Sequence, residues 1–139
     1  MIALSAINTI QPIMANEKVK EDLQLVQEWD KTFPKSDKVN HRKVTFVNNY
    51  GITLAADLYF PKEAAAKLAA IAVSGPFGAV KEQCSGLYAL TMAERGFVTL
   101  AFDPSFTGES GGYPRRTASP DINTEAFMAA VDFLSSLPE

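Results

Sequence analysis

The chain contains few cysteine and histidine residues. Its 139 residues include one cysteine, Cys84, and one histidine, His41. One cysteine permits no internal disulfide, and the two residues are too small a set for the usual tetrahedral zinc site. We therefore expect no metal and no cofactor. Because a serine or cysteine nucleophile usually needs a histidine base, His41 is the one base of that kind that the sequence offers.

Charge of one sign and long apolar runs are also scarce. The chain has 13 Lys and Arg residues against 16 Asp and Glu residues, a net charge of −3, and no long run of Lys or Arg. This charge pattern argues against nucleic acid and an anionic membrane surface as main partners. No stretch approaches the roughly 18 uninterrupted apolar residues of a membrane span, and residues 1–16 lack the basic start of a signal peptide. We expect a cytoplasmic chain with no nucleic-acid partner and no membrane partner.

The N-terminal part of the sequence predicts one helix. The composition, 47% hydrophobic and 21% charged, is that of a globular protein. Between Asn16 and Phe33 apolar residues recur at helical spacing, which is typical of an amphipathic helix that packs on a core. Pro34 should end this helix, because the residue before a proline is pushed out of the α region. We therefore divide the chain into a leader and packing helix, residues 1–34, and a main unit, residues 39–139.

The rest of the chain alternates strand and helix patterns. A hairpin is predicted around the turn at residues 48–51, and two continuous apolar runs predict strands that are buried on both faces. The predicted elements are strands at residues 41–47, 52–60, 68–73 and 97–102, and helices at residues 84–95 and 121–136. The residues expected to face the core are Leu87, Leu90 and Met92 in the first of these helices, and Ile122, Phe127, Ala130, Val131 and Leu134 in the second. The order predicts an α/β fold, in which a mixed sheet made of a hairpin plus parallel strands carries helices on both faces.

The turn at residues 74–78 is the first candidate for chemistry. Its sequence, SGPFG, lies at the carboxyl end of a predicted buried strand, where open α/β sheets place ligand-contacting turns. Since Pro76 has no N–H, the donors to a developing oxyanion should be the backbone N–H groups of Phe77 and Gly78. A plain tight turn is the alternative. A nucleotide site is disfavoured, because the glycine spacing does not match the dinucleotide-binding fingerprint.

Residues 108–112, GESGG, match the G-x-S-x-G pattern of a nucleophile elbow. An elbow needs a strand directly before the serine and a helix directly after it. Here a loop precedes Gly108, and the sequence GGYP that follows Ser110 cannot begin a helix. We therefore expect Ser110 to support the loop instead of acting as a nucleophile. Asp103, which ends the last predicted strand, is expected to orient the same loop through backbone N–H groups.

Three further positions carry reactive or charged groups. His41 opens a predicted edge strand far in sequence from both glycine-containing loops, so a surface histidine is the default interpretation. Cys84 begins a predicted helix and is expected to be a small buried residue, since no histidine lies near it in sequence. Arg115 and Arg116 are interpreted as a solvated pair, and contact with an acidic group of a substrate is the alternative.

Several of these segments together resemble a known family. The sequences LAAIAVSGPFG, AERGFVTLAFDPSFTGESGG and AAVDFL resemble the N-terminal half of an α/β-hydrolase of the dienelactone-hydrolase-like group. The resemblance covers about residues 39–139, and its most specific part is the strand that ends in Asp103 and runs into the loop with Gly108 and Ser110. The chain departs from the family at Ser74, which stands where the oxyanion turn usually has a histidine. Because that turn works through its backbone, the departure changes little.

The resemblance implies a member of the serine hydrolase superfamily that acts on a small-molecule ester or acyl substrate, with oxyanion-hole N–H groups at Phe77 and Gly78. It places the nucleophile, the acid and the histidine on later segments, so the catalytic triad is expected beyond Glu139. On this interpretation the chain alone is incomplete as a catalyst and inactive. The implied strand order is first, second, fourth, third. The strand that begins at Leu68 and ends at Val73 then lies at an unpaired edge, which favours self-association.

Two alternatives stay open. A non-catalytic interaction or binding module could be built on the same half sheet and offer its edge to a partner. An unrelated small α/β enzyme would instead need His41 to act together with Cys84 or Ser110. The first alternative predicts a chain that is stable and well dispersed by itself, and the second predicts a histidine next to a nucleophile.

Overall fold

The computed structural model describes residues 20–64 and 67–138. Within these ranges the chain forms four strands and two helices, which alternate after an initial hairpin. Their bounds are Val39–Val47 (β1), Thr53–Pro61 (β2), Ala70–Val73 (β3), Cys84–Ala93 (α1), Val98–Phe102 (β4) and Pro120–Ser135 (α2).

The strands form one sheet in the order β1-β2-β4-β3. β1 and β2 are antiparallel in a register that pairs Val47 with Thr53. Their turn is closed by Asn48, whose Oδ1 accepts hydrogen bonds from the backbone N–H groups of Tyr50 at 3.0 Å and Ile52 at 2.9 Å. β4 is antiparallel to β2 and parallel to β3. The predicted mixed sheet and its strand order are therefore confirmed.

The two helices cover opposite faces of this sheet. Side chains alternate along the central strands β2 and β4, so Leu58 and Leu100 pack in the core under α2, while Tyr59 and Ala101 pack in the core under α1. The prediction of helices on both faces is confirmed. Among the helices of the described residues, none has the length and apolar character to cross a membrane.

Both helices approach the sheet through small residues. The buried positions are Ser85, Gly86, Ala89, Leu90 and Ala93 in α1, and Ala126, Ala129, Ala130 and Leu134 in α2. A Cβ atom on Gly86 would clash with the backbone oxygen of Lys81 and press on the ring of Phe33, so the packing of α1 against these two residues depends on glycine. Leu90, Ala130 and Leu134 are buried as expected. The expectation is wrong for Leu87 and Val131, whose exposed fractions are 48% and 53%, while Phe127 is 41% exposed and places its ring 4.9 Å from that of Phe102. The alanine-rich stripe of each helix faces the sheet, and the larger apolar residues flank it.

The helix predicted between Asn16 and Phe33, which was the extra N-terminal helix of the expected fold, is wrong for residues 20–33. These residues contain no helix. The leader and the first residues of that predicted helix lie outside the described residues. Residues 20–36, which we call the arm, run across the α1 face of the sheet. The apolar spacing does serve packing, because Trp29 and Phe33 join the core under α1.

The backbone of the arm is bonded to other elements. The N–H of Glu21 donates to Oγ1 of Thr53 in β2 at 2.8 Å, and the N–H of Thr32 donates to the carbonyl oxygen of Glu82 at 3.0 Å. A segment whose backbone donors are satisfied by neighbouring strands and loops does not need its own helical hydrogen bonds. The tertiary contacts of the arm therefore override its helical pattern.

Candidate functional site

Two loops meet at the carboxyl ends of the parallel strands β3 and β4. We call residues 74–83 the β3 loop and residues 103–119 the β4 loop. Between them lies a cleft of about 680 Å³. It is lined by Phe77, Gly78, Val80, Phe106, Thr107, Gly108, Arg115 and Arg116. This edge of an α/β sheet is where such folds bind ligands, so the cleft is the candidate functional site.

The β3 loop contributes two free backbone donors to the cleft. Its turn is closed by a hydrogen bond from the N–H of Ala79 to the carbonyl oxygen of Pro76 at 3.0 Å, and Gly78 has a φ of +85°. A left-handed φ of this kind favours glycine. Within the described residues, neither the N–H of Phe77 nor that of Gly78 donates a hydrogen bond. Both groups are therefore available to a ligand in the cleft.

Asp103 connects the two walls of the cleft. Its buried carboxylate accepts a hydrogen bond from the N–H of Lys81 at 2.8 Å and one from the N–H of Glu109 at 3.0 Å. The Nζ atom of Lys81 lies 3.0 Å from Oδ2 of the same carboxylate. Because Lys81 belongs to the β3 loop and Glu109 to the β4 loop, one side chain holds both loops relative to each other.

Ser110 is buried inside the β4 loop. Its hydroxyl donates to the carbonyl oxygen of Asp103 at 2.7 Å and accepts from the N–H of Ala55 at 2.8 Å. The loop then continues to Ser119 before α2 begins. The G-x-S-x-G sequence therefore forms no strand-turn-helix elbow, and the hydroxyl of Ser110 is occupied as donor and as acceptor.

The two arginines of the β4 loop have different contacts. Arg115 donates from Nη1 to the carbonyl oxygen of Ser110 at 2.5 Å and from Nη2 to that of Gly108 at 2.6 Å, so it braces the loop. Both arginines are exposed, as expected of a solvated pair, but Arg115 also donates to these loop carbonyls, which was not predicted. The side chain of Arg116 makes no hydrogen bond or ion pair with any residue in the part of the chain that the structure describes.

Unusual backbone conformations are concentrated in the β4 loop. Phe106 and Arg116, with φ of 69° and 60°, are the two non-glycine residues with positive φ in the described ranges, and both line the cleft. They are joined by a hydrogen bond from the N–H of Arg116 to the carbonyl oxygen of Phe106 at 2.8 Å. Non-glycine residues are disfavoured in this region, and they cluster at functional sites where the surrounding structure holds them.

A cluster of buried charges, which we call the charge cluster, lies behind the cleft and was not predicted. It joins the arm, the β1–β2 hairpin and both cleft loops. Its members are Lys31, Lys43, Lys81, Asp30, Asp57, Glu82, Asp103 and Glu109. The Nζ atom of Lys43 lies 2.7 Å from Asp30 and 2.8 Å from Glu109, and Nζ of Lys81 lies 2.6 Å from the same oxygen of Glu109. These ion pairs connect the arm to the β4 loop.

Burial and ion pairing shift pKa values in the charge cluster in both directions. Burial raises the pKa of Glu82 and that of Asp103 above their usual range, against the lowering effect of Lys81. Burial acts to raise the pKa of Asp30, but hydrogen bonds from Lys31 and Lys43 hold it at about 2. Burial also acts to raise the pKa of Glu109, and hydrogen bonds from Lys43 and Lys81 keep it below its usual range. For Lys81, burial acts to lower the pKa, but the surrounding carboxylates raise it above its ordinary value. Charges in this cluster stabilise one another.

Three carboxylates of the charge cluster have the spacing of a cation site. Oxygens of Asp30, Glu82 and Glu109 lie within 4.8 Å of one another. However, Lys43 pairs with Asp30 and Glu109, and Lys81 pairs with Glu82 and Glu109. Since the lysines already neutralise these oxygens, we assign no metal to them.

His41 is not joined to a nucleophile. Its Nε2 atom lies 2.7 Å from Oδ1 of Asp57, and its ring is 5.0 Å from the ring of Tyr59, both on the neighbouring strand β2. Cys84 is exposed and not buried as expected, because it occupies the first position of α1 and its side chain lies off the buried stripe. The described residues therefore do not pair His41 with Cys84 or Ser110, and the unrelated-enzyme alternative finds no support.

No protein-family model matches the chain. The uncharacterized protein PA2218 of Pseudomonas aeruginosa is 77% identical over 118 residues, which are 84% of this chain and 32% of that protein. The uncharacterized protein YcjY of Escherichia coli is 46% identical over 101 residues, 70% of this chain and 33% of the relative. The thiohydrolase aneE of Aspergillus aculeatus is 31% identical over 103 residues, 74% of this chain and 31% of the relative. The chain thus spans about a third of the length of these relatives.

Solved structures show the same similarity. The crystal structure of PA2218 from Pseudomonas aeruginosa superposes with a TM-score of 0.84 at 75% identity, over 86% of this chain and 38% of that chain. The α/β hydrolase GrgF from Penicillium sp. sh18 superposes with a TM-score of 0.62 at 27% identity, over 71% of this chain and 33% of that chain. The mixed four-stranded sheet and its helices are therefore part of an α/β-hydrolase fold.

Proposed function

We propose that the chain forms one wall of the substrate cleft of an α/β-hydrolase-type enzyme that acts on an ester or other acyl bond of a small molecule. The pair of free N–H groups at Phe77 and Gly78 carries this proposal. Similarity to a thiohydrolase, to the acyltransferase drtE of Aspergillus calidoustus and to the ferulic-acid-binding protein Est1E supports acyl chemistry. The resemblance to the dienelactone-hydrolase-like group makes the same proposal more specific.

The two donors act on the carbonyl oxygen of the substrate. When a nucleophile adds to the acyl carbon, the C=O electron pair moves to oxygen, which becomes an oxyanion. The N–H groups of Phe77 and Gly78 then donate hydrogen bonds to that oxygen, and loss of such a donor typically slows acyl transfer by about a hundredfold or more. The apolar side chains of Val80 and Phe106, which also line the cleft, provide a surface for the acyl group.

The nucleophile and its base are assigned elsewhere. Within the described residues, the Ser110 hydroxyl is occupied by the loop, and His41 is paired with Asp57. In this proposal, the nucleophile, the acid and the histidine come from segments outside the described residues, as the family resemblance implies. The described cleft then supplies the oxyanion donors and one wall of the pocket, without completing a catalyst by itself.

The proposal is tested by NMR on the ¹⁵N-labelled chain. A methylphosphonate monoester is used as the probe, because its charged tetrahedral oxygens resemble the oxyanion of acyl transfer. We expect saturable shifts of the amide signals of Phe77 and Gly78 as the probe is added. Gly96 is the matched control, since it also has a positive φ, of 99°, but lies outside the cleft lining. Shifts at other cleft residues with none at Phe77 and Gly78 would reject the oxyanion role.

The edge of the sheet at β3 supports a second proposal, self-association of the chain. β3 pairs only with β4 among the described strands, and its sequence, AIAV, carries no charge that would block a further strand. We propose that a second copy pairs with this edge when the chain is alone. Sedimentation velocity should show a dimer at high concentration that Ile71→Lys converts to monomer. A wild-type chain that is monomeric at all concentrations would reject this proposal.

A further inference from the structure

The cleft contains one cation that neither the fold nor the oxyanion role uses. Its lining includes Arg115 and Arg116 and no Asp or Glu. The guanidinium of Arg115 already donates hydrogen bonds to the carbonyl oxygens of Ser110 and Gly108. Arg116 is exposed and its guanidinium has no partner within the described residues. The nearest acid in sequence, Asp121, makes no ion pair with Arg116 in the part of the chain that the structure describes. Glu109 is already paired with Lys43 and Lys81, so it does not neutralise this arginine either.

The backbone conformation at Arg116 is unusual. Its φ of 60° is disfavoured for any residue other than glycine, and the hydrogen bond from its N–H to the carbonyl oxygen of Phe106 holds it there. Phe106 itself has a φ of 69° and is held by a hydrogen bond to the carbonyl oxygen of Gly111 at 2.8 Å. Phe106 and Arg116, both in the left-handed region and joined by the hydrogen bond from the N–H of Arg116, thus fix the position from which the Arg116 side chain extends. Outliers of this kind point to a functional constraint.

We propose that Arg116 binds a carboxylate group of the substrate, so that the cleft selects acyl compounds that carry a second, anionic end. This inference rests on the proposed acyl-cleft function and adds the substrate class to it. The planar guanidinium fork matches a carboxylate in two parallel hydrogen bonds. One free guanidinium balances a singly charged carboxylate better than a doubly charged phosphate. The apolar surface of Phe77, Val80 and Phe106 accommodates the chain between the two ends.

The test compares matched esters on the whole chain. Monomethyl esters of dicarboxylic acids, from succinate to suberate, carry one free carboxylate, and the corresponding dimethyl esters carry none. Calorimetric or NMR titration should show about tenfold tighter binding of the best half-ester, the size expected for a charge-assisted hydrogen-bonded pair that is partly exposed. Added NaCl should reduce this preference, because exposed charges are screened.

Variants test whether Arg116 causes the preference for half-esters over dimethyl esters. Arg116→Asn removes the charge and introduces a residue that tolerates positive φ, so the loop is kept and the half-ester preference should disappear. Arg116→Gln provides a second test, and Arg95→Gln, an exposed arginine after α1, is the matched control with no effect. Equal binding of both esters, in wild type and Arg116→Asn alike, would overturn the carboxylate site and leave the acyl cleft intact. If neither ester binds, the acyl cleft and the carboxylate site are both overturned.

Discussion

Gly108 shows how closely the β4 loop packs on Asp103. A Cβ atom at this position would lie 2.2 Å from Oδ2 of Asp103, and the φ of Gly108 is +53°. We expect Gly108→Ala to lower the free energy of unfolding by about 2 to 4 kcal/mol, because a left-handed alanine adds to a steric clash. Gly78→Ala is the control: φ there is +85°, but nothing lies within 4 Å of the added atom, so only about 1 to 2 kcal/mol should be lost. Equal losses in urea denaturation would contradict the close packing.

Replacement of the buried Lys81 should also destabilise the fold. Its side chain is fully buried and its Nζ atom contacts Asp103 and Glu109. Lys81→Met removes the cation and leaves buried carboxylates without it, which should lower the free energy of unfolding by about 3 to 5 kcal/mol. Lys38→Met, at an exposed position, should change it by less than about 0.5 kcal/mol. Chemical denaturation at neutral pH measures both, and a Lys81→Met variant as stable as Lys38→Met would refute the structural role of this ion pair.

Lysines such as Lys43 and Lys81 were not recognisable as buried from the sequence. Their ion-pair partner Glu109 is 66 residues from Lys43 and 28 residues from Lys81. A charged residue in a strand or loop looks the same in sequence whether it is solvated or paired, and its burial depends on such long-range partners. The free N–H groups of Phe77 and Gly78 were easier to foresee, since a strand end, a proline without N–H and a glycine are all local signals.

The arm is held to the hairpin partly by charge. Asp30 connects it to the hairpin through Lys43, at 2.7 Å. The pKa of Asp30 is about 2 in the folded chain against an ordinary value of 3.8, because hydrogen bonds from Lys31 and Lys43 outweigh its burial. A carboxylate with a lowered folded pKa stabilises the fold above its unfolded pKa, and that stabilisation is lost as the pH falls toward the folded pKa.

The loss of stability caused by an Asp30 substitution should therefore depend on pH. Asp30→Asn should lower the free energy of unfolding by about 1 to 3 kcal/mol at neutral pH. The difference from wild type should shrink as the pH falls from about 4 to about 2, since the wild-type carboxylate becomes protonated there. Urea denaturation at several pH values measures the difference. A gap that stays constant over this range would show that Asp30 stabilises the arm without its charge.

The helices illustrate which element properties the sequence predicts. α2 was predicted from the spacing of its apolar residues. The residues at its start support the same helix, since Pro120 stands at its first position and Ser119 accepts the capping hydrogen bond from the N–H of Ile122 at 3.2 Å. Its buried face was predicted correctly at Ala130 and Leu134 and wrongly at Val131, because close approach to the sheet selects alanines over larger apolar residues. The arm was misjudged for a different reason: its amphipathic spacing is real, but its backbone hydrogen bonds are made with the sheet and the loops.

At the scale of the whole molecule, the strand order β1-β2-β4-β3 and the two-sided arrangement of helices were predictable. Hairpin pairing and the right-handed crossover of parallel strands leave few topologies for this order of elements. The same topology brings the β3 and β4 loops to one edge, so the location of the cleft was also foreseeable. The arm across the α1 face and the charge cluster behind the cleft were not, since both arise from contacts between distant segments.

In the function proposed for the cleft, the N–H groups of Phe77 and Gly78 form an oxyanion site. A high-resolution crystal structure of the chain with the bound methylphosphonate monoester tests it most directly. We expect a phosphonyl oxygen in the cleft at about 2.7 to 3.1 Å from the backbone nitrogen atoms of both residues. A phosphonate bound in the cleft with no oxygen within hydrogen-bonding distance of either nitrogen, or one bound away from the β3 loop, would contradict it.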